Sequence, residues 1–136
     1  MKQIVLVFAV SIASSSMAYA QQCLHGAAES ADETARRRQA LTIARVVNTL
    51  QANRPDRATT PYLRHADLAA AAQNARFPAL PHATLAPDRD VLPGWRLTVD
   101  VNETGYWFMV KDLTDPCGFA YISNQEGVIF TAEPIR

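Results

Sequence analysis

The 136-residue sequence predicts an α+β fold in which a long N-terminal helix packs on a C-terminal four-stranded antiparallel meander. Two observations predict this arrangement. Apolar residues between about positions 30 and 53 recur every three or four residues, which is the spacing of one helix face. After Gly94 the spacing becomes two, and short alternating stretches are separated by Gly-containing turns. A helix with one apolar face and a set of half-buried strands bury their apolar sides by packing on each other.

The first twenty residues have the three parts of a secretory signal peptide. Lys2 supplies the positive charge, residues 4–13 are apolar apart from Ser11, and Ala18-Tyr19-Ala20 is a small-x-small cleavage site. The apolar run is about half the ~20 residues that a membrane-spanning helix requires, and the alternative to a signal peptide is a buried N-terminal helix. We therefore expect residues 21–136 to form one soluble domain without a membrane span, located in the periplasm or secreted.

The predicted mature chain contains two cysteines, Cys23 and Cys117. An exported chain meets an oxidising compartment, where two thiols usually pair, so we expect a Cys23–Cys117 disulfide. A loop of this length is worth about 4–5 kcal/mol in the chain-entropy treatment of disulfides. Pairing between two chains, or a reactive free Cys117, is the alternative.

The predicted first helix begins at a capping box, Ser30-Ala31-Asp32-Glu33, and continues to about Asn53. Residues 21–29 form a short leader ahead of it, which Cys23 would hold. Arg38, Arg45, Asn48 and Gln51 fall mostly away from the apolar face. That face consists of Ala40, Ile43, Ala44, Val46, Val47 and Leu50.

The remaining elements follow in order after a break at Pro61. Residues 67–74 predict a short alanine-rich helix, and residues 77–93 predict an irregular crossing segment that contains four prolines and several apolar anchors. The alternating patterns predict four strands, at residues 95–101, 106–111, 119–123 and 128–131.

The net charge of zero gives no overall field that would favour nucleic acid or a membrane surface. The distribution is uneven, because residues 36–64 contain seven arginines and one acid, whereas acids outnumber bases after residue 88. The two halves would attract each other within one molecule or between neighbours, or they form two ordinary solvated faces.

The last third of the chain resembles the globular domain of type IV pilins and type II secretion pseudopilins. That group contains the pattern Lys/Arg-Asp-x-x-Asp-Pro-Cys-Gly-Phe-Ala, followed by a strand and by Gly-Val-Ile. Residues 44–49 and Tyr62 resemble the same group. The matching positions of the pattern are Lys111, Asp112, Asp115, Pro116, Cys117, Gly118, Phe119, Ala120, Gly127, Val128 and Ile129.

The front of the chain departs from that family. Pilins begin with a cleaved leader and a spanning-length apolar helix, whereas here an export signal precedes a polar leader and a basic helix start. Pro61 replaces the glycine that commonly precedes the helix-break tyrosine. The resemblance therefore implies a soluble, detached pilin-like domain that acts through protein–protein contacts at the cell envelope, with itself or with a partner. The alternative is a secreted inhibitor or small-ligand-binding module on a cystatin-like helix-on-sheet scaffold.

Four oxygen-bearing side chains lie in two turns that a meander would bring together: Asp112, Asp115, Asn124 and Glu126. Such ligands suit calcium, and calcium is the one cofactor that the sequence suggests. The alternative is ordinary turn chemistry, in which Asp and Asn bond to their own backbone. The three histidines lie far apart and are interpreted as surface or loop residues. The sequence shows no phosphate-binding glycine loop and no nucleophile motif, so we predict a protein that is not an enzyme.

The second predicted strand carries the candidate interaction surface. Tyr106, Phe108 and Val110 point to one side of it, and Trp107 and Met109 point to the other. If the first set meets the helix, Trp107 and Met109 lie on the open face of the sheet or under the crossing segment. An exposed pair of this kind indicates a contact surface.

Overall fold

The computed structural model describes residues 23–26, 29–54, 61–75 and 83–133. The predicted signal peptide lies outside these residues. Within them, no helix combines the length and apolar character needed to cross a membrane.

The first helix, α1, spans Ala31–Ala52 and starts at the predicted capping box. The Ser30 hydroxyl accepts from the Glu33 amide, and the Glu33 carboxylate accepts from the Ser30 amide at 2.8 Å. These two bonds satisfy amides that a helix start would otherwise leave unpaired. The six residues of the predicted apolar face are all buried, which confirms the assignment of that face.

The second helix, α2, spans His65–Asn74 and buries Leu68. The chain segment before α2 is hydrogen-bonded to α1 through Gln51. The Gln51 side chain donates to the Leu63 carbonyl at 2.8 Å and accepts from the Leu63 amide at 2.9 Å. Gln51 is fully buried, so its predicted position away from the apolar face is wrong. A paired amide side chain is tolerated in the core because both of its polar ends are satisfied.

Four antiparallel strands follow in the sheet order β1-β2-β3-β4, so the sheet is the predicted meander. The strands are β1 (Trp95–Val101), β2 (Tyr106–Asp112), β3 (Ala120–Asn124) and β4 (Ile129–Ala132). Gly118 and Gly127 have positive φ, which side chains rarely adopt, and each donates its amide to the carbonyl three residues earlier to close a turn.

The core lies between α1 and one face of the sheet. Trp95, Leu97, Phe108 and Val110 of the inner strand faces are almost fully buried, and α1 contacts β2 and β3. The described part of the predicted crossing segment completes the core with Leu85, Val91 and Leu92. A long helix and a four-stranded antiparallel sheet confirm the α+β class. The helix α1 occupies only one face of the sheet and leaves the other face uncovered by α1.

Candidate functional site

The face of the sheet that points away from α1, which we call the open face, carries a row of three apolar side chains with a threonine at its β1 end. The strand register places Thr98, Met109, Ile122 and Phe130 side by side across all four strands. Trp107 lies in the next row, opposite Asp100 on β1 and Asn124 on β3. Because paired residues of adjacent strands point to the same side, the register alone gathers these side chains on one surface.

Two aromatic side chains of the open face are exposed to solvent. Trp107 exposes 42% of its surface and Phe130 exposes 55%, while Met109 and Ile122 are half-buried. The sequence left open whether the crossing segment covers Trp107. The structure places Trp107 on the open face, as one of the two positions that the sequence allowed.

The indole of Trp107 is fixed in place by a neighbouring acid. Its Nε1 donates to Asp100 Oδ2 at 3.1 Å. This bond orients the ring while leaving much of its apolar surface in water. An aromatic ring that is already held in one orientation loses less conformational entropy on binding than a free one.

A second cluster lies at the opposite end of β2, where the residues before α1 meet the β2–β3 loop. Cys23 and Cys117 form the predicted disulfide, with their Cα atoms 5.2 Å apart. Next to it, Asp115 Oδ1 accepts from the amides of Leu24 at 3.1 Å and Cys117 at 3.0 Å. Asp115 Oδ2 accepts from the Phe119 amide at 3.2 Å. Asp115 therefore organises the loop and joins it to the N-terminal segment.

His25 lies in the same cluster, buried between two carboxylates. Its Nδ1 is 2.7 Å from Glu29 Oε1, and its Nε2 is 2.8 Å from Asp112 Oδ2. The ring packs against Phe119 and Trp95, with centroids 4.6 and 5.6 Å away. Glu29 also receives two bonds from the Arg37 guanidinium, at 2.7 and 2.8 Å. Arg37, Glu29, His25 and Asp112 form a chain of alternating charge that connects α1 to the end of β2.

The surroundings shift the pKa values of this chain in the directions that keep it charged. The Arg37 guanidinium lowers the pKa of Glu29 to about 2, with a further contribution from His25. Burial alone would lower the pKa of His25, but the hydrogen bonds to Glu29 and Asp112 outweigh it and raise that pKa above 6.5. Burial opposes ionisation of Asp112 as well, and bonds from Thr114 and His25 outweigh it, so its pKa is lowered.

The predicted calcium ligands do not come together. Asp112 ends β2 and Asp115 lies in the β2–β3 loop, whereas Asn124 ends β3 and Glu126 lies in the β3–β4 turn. Consecutive turns of a meander sit at opposite ends of the strand they share, and five residues of β3 separate them by about 13 Å. The expectation that the two turns meet is therefore wrong. Asp112 Oδ1 accepts from the Thr114 amide, and Asn124 Oδ1 accepts from the Glu126 amide. These are the local side-chain-to-backbone bonds of ordinary turns, which was the alternative to a calcium site. The described part of the chain has no cluster of three or more His, Cys, Asp or Glu side chains arranged to hold a metal.

Sequence reasoning missed the role of His25, which it treated as a surface or loop residue. The available signal was its position two residues after Cys23, since a disulfide to Cys117 forces the neighbouring residues against the β2–β3 loop. The acids of that loop then become the natural partners of a basic side chain. His65 is half-buried, and burial lowers its pKa below 6.5.

Comparison with protein-family models, with curated proteins and with solved structures gives no match. The structure itself shows an α+β domain. A disulfide holds its N-terminal segment, and two exposed aromatic residues lie on the open face of its sheet.

Proposed function

We propose that the chain is an exported, non-enzymatic, pilin-like protein that acts through protein–protein contacts at the cell envelope. The observation that carries this proposal is the open face, where Trp107 and Phe130 expose 42% and 55% of their surface beside Met109 and Ile122. Contiguous apolar patches on soluble domains usually mark contact sites, and tryptophan is enriched among residues that dominate binding energy.

The polar surroundings of the patch favour a protein partner. Asp100 and Thr98 border it on β1, Asn124 borders it at the end of β3, and the side chains of Trp107 and Asp100 are already bonded to each other. An apolar centre with a polar, hydrogen-bonding rim is the usual composition of a protein–protein interface.

The disulfide supports export, because such bonds persist in oxidising compartments. The helix-on-meander arrangement supports the pilin-like resemblance, and the Asp115-Cys117 motif of that resemblance forms the loop that anchors the N-terminal segment. In this proposal His25 has a structural role, since both of its ring nitrogens are held by carboxylates.

The proposal is tested by site-specific photocrosslinking in cells that export the protein. A photoreactive phenylalanine analogue at Phe130 should give discrete crosslinks to a protein partner or to a second copy. The same analogue at Gln39, which is exposed on α1, serves as the control and should give none. Equal crosslinking from both positions, or none from Phe130, would reject the open face as the contact surface. N-terminal sequencing of the exported protein should begin close to Gln21, and recovery of an intact Met1 would reject export.

A further inference from the structure

We propose that residues 23–26, together with Glu29, form a clasp that stays closed only while both ring nitrogens of His25 carry protons, and that loosens as the pH rises. The two carboxylates beside the ring are held in their ionised form by the donors around them. Glu29 accepts two bonds from Arg37, and Asp112 Oδ1 accepts from the amide and the hydroxyl of Thr114 at 2.8 and 2.7 Å. Carboxylates that accept several donors are ionised.

Each ring nitrogen of His25 faces a carboxylate oxygen. A neutral imidazole has one donor nitrogen and one acceptor nitrogen, whereas an imidazolium has two donors. Ionised carboxylates only accept, and His25 offers one nitrogen to Glu29 at 2.7 Å and the other to Asp112 at 2.8 Å. Only the doubly protonated ring satisfies both. Loss of one proton leaves a ring nitrogen and a carboxylate oxygen in contact with no hydrogen between them, inside a buried cluster.

Charged groups of the neighbouring elements also act on the ring. Arg37 opposes the protonation of His25 only at a distance, since Glu29 lies between the two. Tyr121 of β3 interacts with Arg37. The acids near the ring come from the clasp, α1, the end of β2, the β2–β3 loop and the residue after β4, and they are Glu29, Glu33, Asp112, Asp115 and Glu133. Acids therefore dominate around His25, and they favour its charged form.

The pH window follows from the directions of the shifts. The pKa of His25 is raised, so its contribution is complete below 6.5 and is lost as the pH rises through the higher pKa of the folded state. The pKa values of Glu29 and Asp112 are lowered, so their contributions are complete above the ordinary carboxylate range and are lost in acid. The clasp is closed between these limits and opens on the alkaline side when His25 loses its proton.

Opening of the clasp would uncover the aromatic residues on which the His25 ring packs. The His25 ring packs on Phe119 and Trp95, both of which are buried, and a cavity of about 220 Å³ lies beside it between the disulfide and Glu133. The disulfide keeps the loosened segment attached at Cys23. The clasp would thus move reversibly on a covalent tether and uncover an aromatic surface at the end of the sheet opposite Trp107.

Imidazole nitrogen NMR on the intact, disulfide-bonded protein tests the first half of the proposal. His25 should show two protonated nitrogens and a titration midpoint above 6.5, while His65 in the same sample should titrate below 6.5. Assignment uses a His25→Gln variant. A His25 midpoint at or below 6.5 would overturn the proposal.

Hydrogen exchange of the Leu24 amide, which bonds to Asp115, tests the second half. After correction for intrinsic exchange, its protection should fall at least tenfold between a pH below the His25 midpoint and one above it. Amides of β2 should not change, and in His25→Gln the protection of Leu24 should not depend on pH. Equal protection of Leu24 on both sides of the midpoint in the wild-type protein would also overturn the proposal.

Discussion

Asn48 of α1 donates to the Ser123 hydroxyl of β3 at 2.9 Å, and this bond ties the helix to the sheet. The same side chain donates to the Gly127 carbonyl at 3.0 Å and accepts from the Tyr106 hydroxyl at 2.9 Å. The Ser123 hydroxyl in turn donates to the Val128 carbonyl at 2.7 Å. One asparagine thereby fixes the position of α1 against β2, β3 and the turn before β4.

Replacing Asn48 with alanine should destabilise the fold by about 1–3 kcal/mol, because the buried Tyr106 and Ser123 hydroxyls lose a partner. Urea unfolding measures the effect. Thr49→Ala is the matched control on the exposed side of the same helix and should change stability by less than about 0.5 kcal/mol. Equal losses in the two variants would show that the Asn48 bonds do not hold the helix on the sheet.

The bounds of the elements could be predicted from the sequence because they depend on local patterns. The capping box at Ser30 starts α1, and alternation after Gly94 gives strands whose ends differ from those of the structure by at most one residue. Asn48 and Gln51 could not be placed in this way, because polarity indicates exposure unless the partner is known. Their partners are 75 and 12 residues away along the chain.

The candidate sites also contain residues that local sequence patterns place correctly and residues that depend on distant partners. The faces of β2 follow from strand alternation, so the sequence alone assigns Trp107 and Met109 to one surface. The neighbours Ile122 and Phe130 required the register of β3 and β4, which single strands do not specify. The contacts of His25 could not be predicted from local patterns. Its contact with Asp112 at the end of β2 joins residues 87 apart in sequence, and the disulfide that holds it there joins residues 94 apart.

Removing the disulfide should lower the free energy of unfolding by about 2–5 kcal/mol, since Cys23 and Cys117 close a loop across most of the domain. Mass spectrometry without reductant should first find the monomer two protons lighter than its reduced form. A Cys23→Ser/Cys117→Ser variant then gives the stability difference in urea. Unchanged stability, or free thiols in the purified protein, would contradict a structural role for the bond.

The ion pair between Glu29 and Arg37 should appear in the acid stability of the protein. Because the pKa of Glu29 is lowered from 4.5 to about 2, its contribution is complete above pH 4.5 and is lost as the pH falls toward 2. The stability difference between wild type and Glu29→Gln should therefore shrink over that interval. Gln39→Ala, a change of an exposed, uncharged residue on α1, is the control and should leave the pH dependence of stability as it is in the wild type. A difference for Glu29→Gln that stays constant from pH 5 to pH 2 would argue against the ion pair.

The central claim, that the open face binds a protein, is tested most directly by measuring one variant in two ways. Trp107→Ala should weaken self-association or binding to an envelope partner by about 2 kcal/mol or more, the scale of an aromatic residue that dominates an interface. Its free energy of unfolding, measured by thermal denaturation, should stay within about 1 kcal/mol of the wild-type value, because the side chain is 42% exposed and lies outside the core. Arg45→Ala, on the exposed side of α1, is the control and should change neither quantity. A folded Trp107→Ala protein that binds every partner as tightly as wild type would contradict the claim.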